Sequence, residues 1–268
     1  MKVGFIQFNP IFGDIEGNID TVTKLVEGAD ADLLVLPELF NTGYLFTSHE
    51  EVAELSEETP DGKTTEALSR LARKKNVWIV GGIAERGGEN IYNSAVLVGP
   101  EGYRATYRKI HLFFEENIWF QPGDREFEVY DIGGCTIGIM ICFDWIFPES
   151  MRILSLMGAD VICHPSNLVL SFCQDAMKTR CLENRAFAVT ANRTGTEERG
   201  GKSLYYTGKS QITSTRGDVL FQAGEGTEEV GIVEIEVSEA RDKEVNEYNN
   251  LFGDRRTDFY STLLKGNK

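Results

Sequence analysis

The sequence places a carboxylate, an ammonium group and a thiol directly after three predicted strands. They are Glu38 after Leu33–Leu36, Lys109 after Tyr103–Tyr107, and Cys142 after Thr136–Ile141. In open α/β sheets, ligand sites gather beyond the carboxyl ends of the strands. We therefore expect these three side chains to meet in one pocket.

The three side chains suit acyl transfer to water through a thioester. A free thiol has a pKa of about 8.5, so Cys142 needs a base to attack at neutral pH. Glu38 can accept its proton, then protonate a leaving amine and later activate water. Lys109 and the backbone N–H of Phe143 can stabilise the oxyanion of the tetrahedral intermediate.

Taken singly, each of these residues has a plainer explanation. A cysteine at a strand end is usually a core residue, and a glutamate after proline or a lysine beside arginine usually lies at the surface. The chain has 5 cysteines, an odd number without a CxxC pair. This pattern argues against a disulfide framework and a structural zinc site, so we expect reduced thiols.

The surrounding pattern predicts an α/β protein with one mixed sheet or two. Apolar strands alternate with helices early and late in the chain, and a hairpin turn at Gly99–Gly102 lies between strands in the middle. Strands this apolar need cover on both faces. The predicted helices are Ile19–Ala29, Thr64–Lys75, Glu149–Gly158 and Ala176–Asn184.

We expect one domain over residues 1–268, with a tail from about residue 240. The tail carries Tyr248, Phe252, Phe259 and Tyr260 beyond the last predicted strand. Such rings need a surface to pack on, and a neighbouring subunit is one candidate.

The composition limits the classes of partner that the protein can bind. The net charge is −15, from 42 acidic and 27 basic residues. An acidic surface repels phosphate backbones and anionic lipid, so nucleic acid and membrane are poor partners. The start at Met1–Gln7 is typical of a strand rather than a signal peptide, and no apolar run approaches the roughly 20 residues that span a bilayer. We expect a cytoplasmic protein.

The motifs around the three side chains resemble those of the carbon–nitrogen hydrolase family, the nitrilase superfamily, in its amidase and carbamoylase-like branch. The resemblance extends from the first strand to the tail. It rests on three ordered motifs and their surroundings: Leu36-Pro37-Glu38-Leu39-Phe40, Ile91-Tyr92-Asn93-Ser94-Ala95, Tyr107-Arg108-Lys109-Ile110-His111-Leu112, Gln121-Pro122-Gly123-Asp124, Ile141-Cys142-Phe143-Asp144-Trp145 and His164-Pro165-Ser166-Asn167.

This resemblance implies a four-layer α-β-β-α sandwich with two mixed sheets, in subunits that pair through their outer helices. It implies Cys142 as nucleophile, Glu38 as base, Lys109 as oxyanion stabiliser and Glu116 as a fourth member that positions substrate. Glu115 is the alternative in a shifted register. No metal or organic cofactor is expected.

Further residues are candidates for lining the pocket: Tyr44, Phe143, Trp145 and Asn167. We expect Asp144 to be structural, and Arg193 or Arg199 could bind a substrate carboxylate. Cys142-Phe143-Asp144 favours an amide or N-carbamoyl substrate over a nitrile, which remains the alternative.

Other classes of protein are less favoured. A silent scaffold on the same fold would be expected to lack one of the four catalytic residues. A thiol redox protein would need a second cysteine beside Cys142. A nucleotide-binding protein would need a phosphate-cradling glycine motif.

Overall fold

The computed structural model describes residues 1–265. The strands, in chain order, are β1 (Lys2–Gln7), β2 (Leu33–Val35), β3 (Trp78–Gly87), β4 (Asn90–Gly99), β5 (Gly102–Arg108), β6 (Val129–Asp131), β7 (Thr136–Ile139), β8 (Val161–Ser166), β9 (Phe187–Asn192), β10 (Thr196–Arg199), β11 (Lys202–Tyr205), β12 (Gln211–Thr213), β13 (Val219–Gln222), β14 (Glu229–Glu234), β15 (Glu244–Asn246) and β16 (Asn249–Asn250). The helices are α1 (Ile15–Gly28), α2 (His49–Leu55), α3 (Lys63–Lys75), α4 (Glu116–Trp119), α5 (Pro148–Leu156), α6 (Cys173–Asn184) and α7 (Ser238–Arg241), with short 3₁₀ turns at Cys142–Ile146, Thr257–Phe259 and Ser261–Leu264.

Two large sheets form the centre of the molecule. Each has 6 strands, in the orders β14-β1-β2-β3-β4-β5 and β13-β12-β9-β8-β7-β6. In the first sheet β1, β2 and β3 run parallel, and in the second β7, β8 and β9 do; their outer neighbours are antiparallel. Both sheets are therefore mixed, and each gathers parallel strand ends at one edge.

The outer helices cover the sheets because their apolar residues recur at helical spacing. In α3, Leu68, Leu71 and Ala72 are buried against the first sheet, where they join Val22 and Val26 of α1. Asp14 caps α1 by accepting a hydrogen bond from the N–H of Gly17. Helices α5 and α6 lie against the second sheet and the turn at Cys142.

The two sheets face each other across the main core. Val3, Val35 and Val80 from the first sheet meet Ile137 and Val161 from the second, all of them buried. With α1 and α3 on one outer face and α5 and α6 on the other, the layers are helix, sheet, sheet, helix. The predicted four-layer α/β fold with two mixed sheets is confirmed.

Several short elements were not predicted. They are α2, α4, β6, α7, the hairpin of β10 and β11, and the pair β15 and β16. Each is short or polar, so its sequence carries little periodicity. Helix α1 also begins at Ile15 rather than Ile19. Among residues 1–265, none of the helices has both the length and the apolar content that a bilayer crossing requires.

Candidate active site

Glu38, Lys109 and Cys142 each follow a strand whose end lies at the same edge of the sandwich. Glu38 follows β2, and its backbone lies so close to Gly82 of β3 that an added Cβ there would come within 2.5 Å of the Glu38 Cα. Only glycine permits this approach. The residue after it, Leu39, has φ 48°, and Cys142 has φ 39°, both in the left-handed region that L residues rarely adopt. Such backbone conformations concentrate at functional sites.

Lys109 is fully buried between two carboxylates. Its Nζ lies 2.6 Å from Glu38 Oε1 and 2.7 Å from Glu116 Oε2. Glu115, the alternative register, instead pairs with Lys202 on the β11 hairpin strand. The structure therefore brings Glu116 rather than Glu115 to the lysine.

The two glutamates are held differently. Glu116 accepts hydrogen bonds from the Tyr44 hydroxyl at 2.7 Å and from the Phe113 N–H at 3.3 Å. Glu38 Oε1 accepts from Lys109 and, at 2.7 Å, from Asn93 Nδ2. Glu38 Oε2 is buried and has no hydrogen-bond partner among residues 1–265.

Cys142 lies on a backbone turn that polar groups support from two sides. Asp144 Oδ2 accepts from the N–H of Ile141 at 2.9 Å and from the Tyr107 hydroxyl at 2.7 Å. On the other side, His164 Nε2 lies 2.9 Å from the carbonyl oxygen of Cys142. Burial lowers the pKa of His164 to about 4, so its ring is neutral and Nε2–H donates this bond.

The pKa values in the cluster are set by burial and by mutual charge. Burial and the charge of Glu38 raise the pKa of the Cys142 thiol well above its usual value, while Lys109 opposes them. Burial raises the pKa of Glu116 to about 7, against the lowering effect of Lys109. Burial alone would lower the pKa of Lys109, but Glu116 and Glu38 raise it. The resting cysteine is therefore a thiol, and the lysine is charged.

A small cleft opens beside Cys142. Phe143, Trp145 and Asn167 line it, together with Phe113 and Leu168–Leu170. Its volume of about 10 Å³ has room for roughly one water molecule. Tyr44, the fourth predicted lining residue, lies on the Glu116 side of the cluster instead, through its hydroxyl. Larger cavities of about 430 and 620 Å³ lie away from Cys142.

Sequence reasoning gave no role to two residues that the structure places in the site. Asn93 bridges the glutamates, donating to Glu38 at 2.7 Å and to Glu116 at 3.4 Å. His164 supports the Cys142 turn. Both residues lie in the motifs quoted above, and that position was the available signal for a role in the site. Their partners could not be assigned from sequence because they are distant in the chain.

The two arginines expected near the pocket are already paired. Arg193 is buried and bonds Glu197, Asn9 and the Pro10 carbonyl. Arg199 bonds Glu51 and lies over the Phe12 ring. Neither lines the cleft beside Cys142.

The fold and this cluster define a four-layer α/β protein with a cysteine turn beside a buried Glu–Lys–Glu group. Comparison with known proteins identifies the family. The carbon–nitrogen hydrolase model matches residues 2–244. A protein named nitrilase from Pyrococcus abyssi is 49% identical, over 97% of this chain and 99% of that protein. An (R)-stereoselective amidase from a Pseudomonas species is 34% identical, over 84% of this chain and 81% of that protein.

A solved structure leads to the same family. The carbon–nitrogen hydrolase of Helicobacter pylori G27 superposes with a TM-score of 0.90 at 26% identity, covering 99% of this chain and 98% of that one. The chain belongs to the carbon–nitrogen hydrolase family, within the nitrilase superfamily.

Proposed function

We propose that this protein is a cysteine-dependent hydrolase that cleaves a non-peptide carbon–nitrogen bond of a small amide or N-carbamoyl compound and releases ammonia. The observation that carries the proposal is the state of Glu38. One carboxylate oxygen is anchored by Lys109 and Asn93, and the other has no partner among residues 1–265. A carboxylate held by one oxygen and open at the other is suited to accept and return a proton.

In the proposed reaction, Glu38 transfers the protons and Cys142 forms the bond to the carbonyl carbon. Glu38 takes the proton of Cys142 as Sγ attacks the carbonyl carbon of the amide. The carbonyl electrons move to oxygen, where Lys109 and the N–H of Phe143 stabilise the charge. The intermediate collapses, and Glu38 returns the proton to the departing ammonia. Water, deprotonated by Glu38, then hydrolyses the thioester, releasing the acid and the Cys142 thiol.

The remaining site residues have supporting roles in this proposal. Glu116 fixes the Lys109 ammonium and positions substrate, and Tyr44 fixes Glu116 in turn. Phe143 and Trp145 form apolar walls of the cleft. Both side-chain polar atoms of Asn167 are buried without a partner among the described residues, which leaves them for a substrate amide.

Nitrile hydrolysis is the second candidate, favoured by the relative named nitrilase that is 49% identical. The same thiol would add to the nitrile carbon, and the thioimidate would be hydrolysed to acid and ammonia. A silent scaffold is disfavoured, because all four predicted residues are present and three of them are in direct contact.

The test is an ammonia-release assay on a panel of small amides, N-carbamoyl compounds and nitriles, with the parent and Cys142→Ala. We expect the variant to be folded by circular dichroism and to have no measurable turnover, because it has no nucleophile. Cys181→Ala, which removes a buried thiol within α6, is the matched control and should keep activity. Activity of Cys142→Ala within about tenfold of the parent would rule out the nucleophile assignment.

We also propose that the chain is one catalytic domain with a tail, from about residue 240, that contacts a second subunit. In a single chain Tyr248 is 81% exposed and Phe259 71% exposed, whereas Phe252 packs near its own Arg152 and Lys243. The outer helices α5 and α6 also carry exposed apolar residues, Ile153, Leu156 and Leu182. Residues 266–268 of the tail lie outside the described residues.

Truncation before Tyr248 tests the tail. If the tail joins subunits, light scattering should show dissociation or aggregation of the shortened protein. An unchanged mass and stability would mean that the tail is not an interface element.

A further inference from the structure

The cleft beside Cys142 is walled by uncharged side chains. Of the residues that line it, Phe113, Phe143 and Trp145 are aromatic, and Leu168–Leu170 is aliphatic. Asn167 supplies the polar side chain, with a donor and an acceptor that are both unpaired among residues 1–265. None of the described residues that line the cleft carries a charge. This wall suits a neutral group that forms hydrogen bonds.

Each of the nearby cations already has a carboxylate partner within the protein. Lys109 lies between Glu38 and Glu116. Arg193 is paired with Glu197, and Arg199 with Glu51. A carboxylate entering the cleft would lose its water without gaining an ionic partner, and that desolvation is costly.

The net charge of the site residues and of the whole chain is also unfavourable for an anionic substrate. The site cluster holds two carboxylates and one ammonium group, and the whole chain carries a net charge of −15. A substrate ammonium group would be attracted from a distance, but each site carboxylate already shares the charge of Lys109. The free oxygen of Glu38 receives the Cys142 proton in the proposed reaction, and the cleft wall offers no further carboxylate. The desolvation of the substrate ammonium group would therefore also be uncompensated.

Resting on the proposed function, we propose that this site selects small amides or nitriles whose acyl group is uncharged. It discriminates against acyl groups of the same shape that carry a carboxylate or an ammonium group. The neutral wall of the cleft sets this selection.

A matched pair of substrates tests this selection. Succinamate and 4-oxopentanamide have the same number of non-hydrogen atoms and differ at one end, where a carboxylate oxygen of the first is replaced by a methyl group in the second. We expect kcat/KM for 4-oxopentanamide to be at least about tenfold higher, because only the carboxylate is desolvated without a partner. Equal or higher kcat/KM for succinamate would overturn the proposal.

Alkylation of Cys142 tests the same selection without any turnover. Iodoacetamide and iodoacetate differ in charge and little in size, and peptide mapping by mass spectrometry measures their rates at Cys142. Relative to their ratio with glutathione, we expect iodoacetamide to be favoured by a further factor of at least about ten. A ratio equal to that of glutathione would overturn the proposal. If neutral alkylation is preferred but no amide or nitrile is hydrolysed, the proposed function fails while charge selection by the cleft stands.

A variant at Leu170 tests whether the selection depends on the charge of the cleft wall. Leu170 lines the cleft and is 37% exposed, so a longer polar side chain can extend to solvent there. Leu170→Lys should increase the relative rate of iodoacetate at Cys142 and reduce the preference against succinamate. Leu170→Met is the matched control of similar length without charge and should behave as the parent. Identical ratios for Leu170→Lys and Leu170→Met would show that charge is not what the cleft selects.

Discussion

Arg108 and Lys109 are neighbours in the chain, and each is a buried cation held between two carboxylates. Side chains alternate along a strand, so the two point to opposite faces at the end of β5. Arg108 binds Glu85 through Nη2 at 2.7 Å and Nε at 3.0 Å, and Asp124 through Nη1 at 2.9 Å. Lys109 binds Glu38 and Glu116 instead.

The two networks differ in completeness. In the Arg108 network every carboxylate oxygen has a donor: Ser94 adds a bond to Glu85 at 2.6 Å, and the Arg108 guanidinium lies over the Tyr92 ring. In the Lys109 network, Glu38 Oε2 is buried without a donor among the described residues. An unsatisfied buried oxygen costs about 1–3 kcal/mol, so its presence needs a reason other than stability. We interpret the first network as structural and the second as chemical.

Exchanging each cation for methionine should give the largest effects and separate the two networks. Lys109→Met should lower kcat at least about a hundredfold, a typical cost for losing one oxyanion contact. Its loss of stability should be moderate, because Glu116, with a pKa of about 7, can take up a proton once the lysine is gone. Steady-state kinetics and denaturant unfolding measure both quantities. A change confined to KM would mean that Lys109 only binds substrate.

Arg108→Met should do the reverse. It leaves Glu85 buried without its cation, which costs about 3–5 kcal/mol of unfolding free energy, while kcat of the folded protein stays within about tenfold of the parent. Arg108→Lys is the matched control. It keeps the charge but not the planar guanidinium, so its stability should lie between that of the parent and that of Arg108→Met. A hundredfold loss of kcat in an Arg108→Met variant that keeps its stability would contradict this separation, because it would mean that the Arg108 network also contributes to catalysis.

The pH dependence of stability should also distinguish the networks, with a smaller effect. Burial raises the pKa of Glu116 from 4.5 to about 7, so between these values the folded protein binds more protons than the unfolded chain. Stability from this group is therefore present below pH 4.5 and is lost as the pH rises through 7. Glu116→Gln does not titrate and lacks this component.

The measurement is the difference in unfolding free energy between Glu116→Gln and the parent from pH 5 to 8. It should shift in favour of the variant as the pH rises and level off above about pH 7. Glu115→Gln, which changes the neighbouring carboxylate that pairs with Lys202, is the control and should show no such trend. A constant difference for Glu116→Gln would mean that Glu116 stays ionised across this range.

Much of the fold could be predicted because its signals are local. The apolar strands, the turn at Gly99–Gly102 and the helices with Leu68 and Leu71 on one face all lie within short windows of sequence. The motif residues Glu38, Lys109 and Cys142 follow such strands, so strand topology alone suggested a shared edge.

The features of the site that could not be predicted from the sequence depend on contacts between distant segments. Asn93 and Tyr44 act on the site through hydrogen bonds to Glu38 and Glu116, each from another part of the chain. Arg193 and Arg199 are candidates for binding a substrate on sequence alone, because their pairing with Glu197 and Glu51 depends on the fold. Whether a polar atom is paired is a property of the packed structure.

The smallest predicted effect lies within the Arg108 network itself, between its buried and exposed carboxylates. The Glu85 side chain is 5% exposed, whereas that of Asp124 is 50% exposed. Asp124→Asn should cost less than about 1 kcal/mol, the usual worth of a solvent-exposed ion pair, even though its geometry with Arg108 is good. Glu85→Gln should cost about 3 kcal/mol or more, because it leaves the buried end of the guanidinium without a countercharge.

Salt separates the two carboxylates further. At 1 M ionic strength the Debye length is about 3 Å, so the cost of Asp124→Asn should largely vanish while that of Glu85→Gln persists. Denaturant unfolding at low and high salt measures both. In an Arg108→Met background Asp124→Asn should lose most of its effect, and Glu85→Gln should no longer destabilise, because it removes a buried charge that has lost its cation. Equal costs for the two variants would show that burial does not set the strength of this network. The contrast with Lys109 would then have to rest on the unpaired oxygen of Glu38 alone.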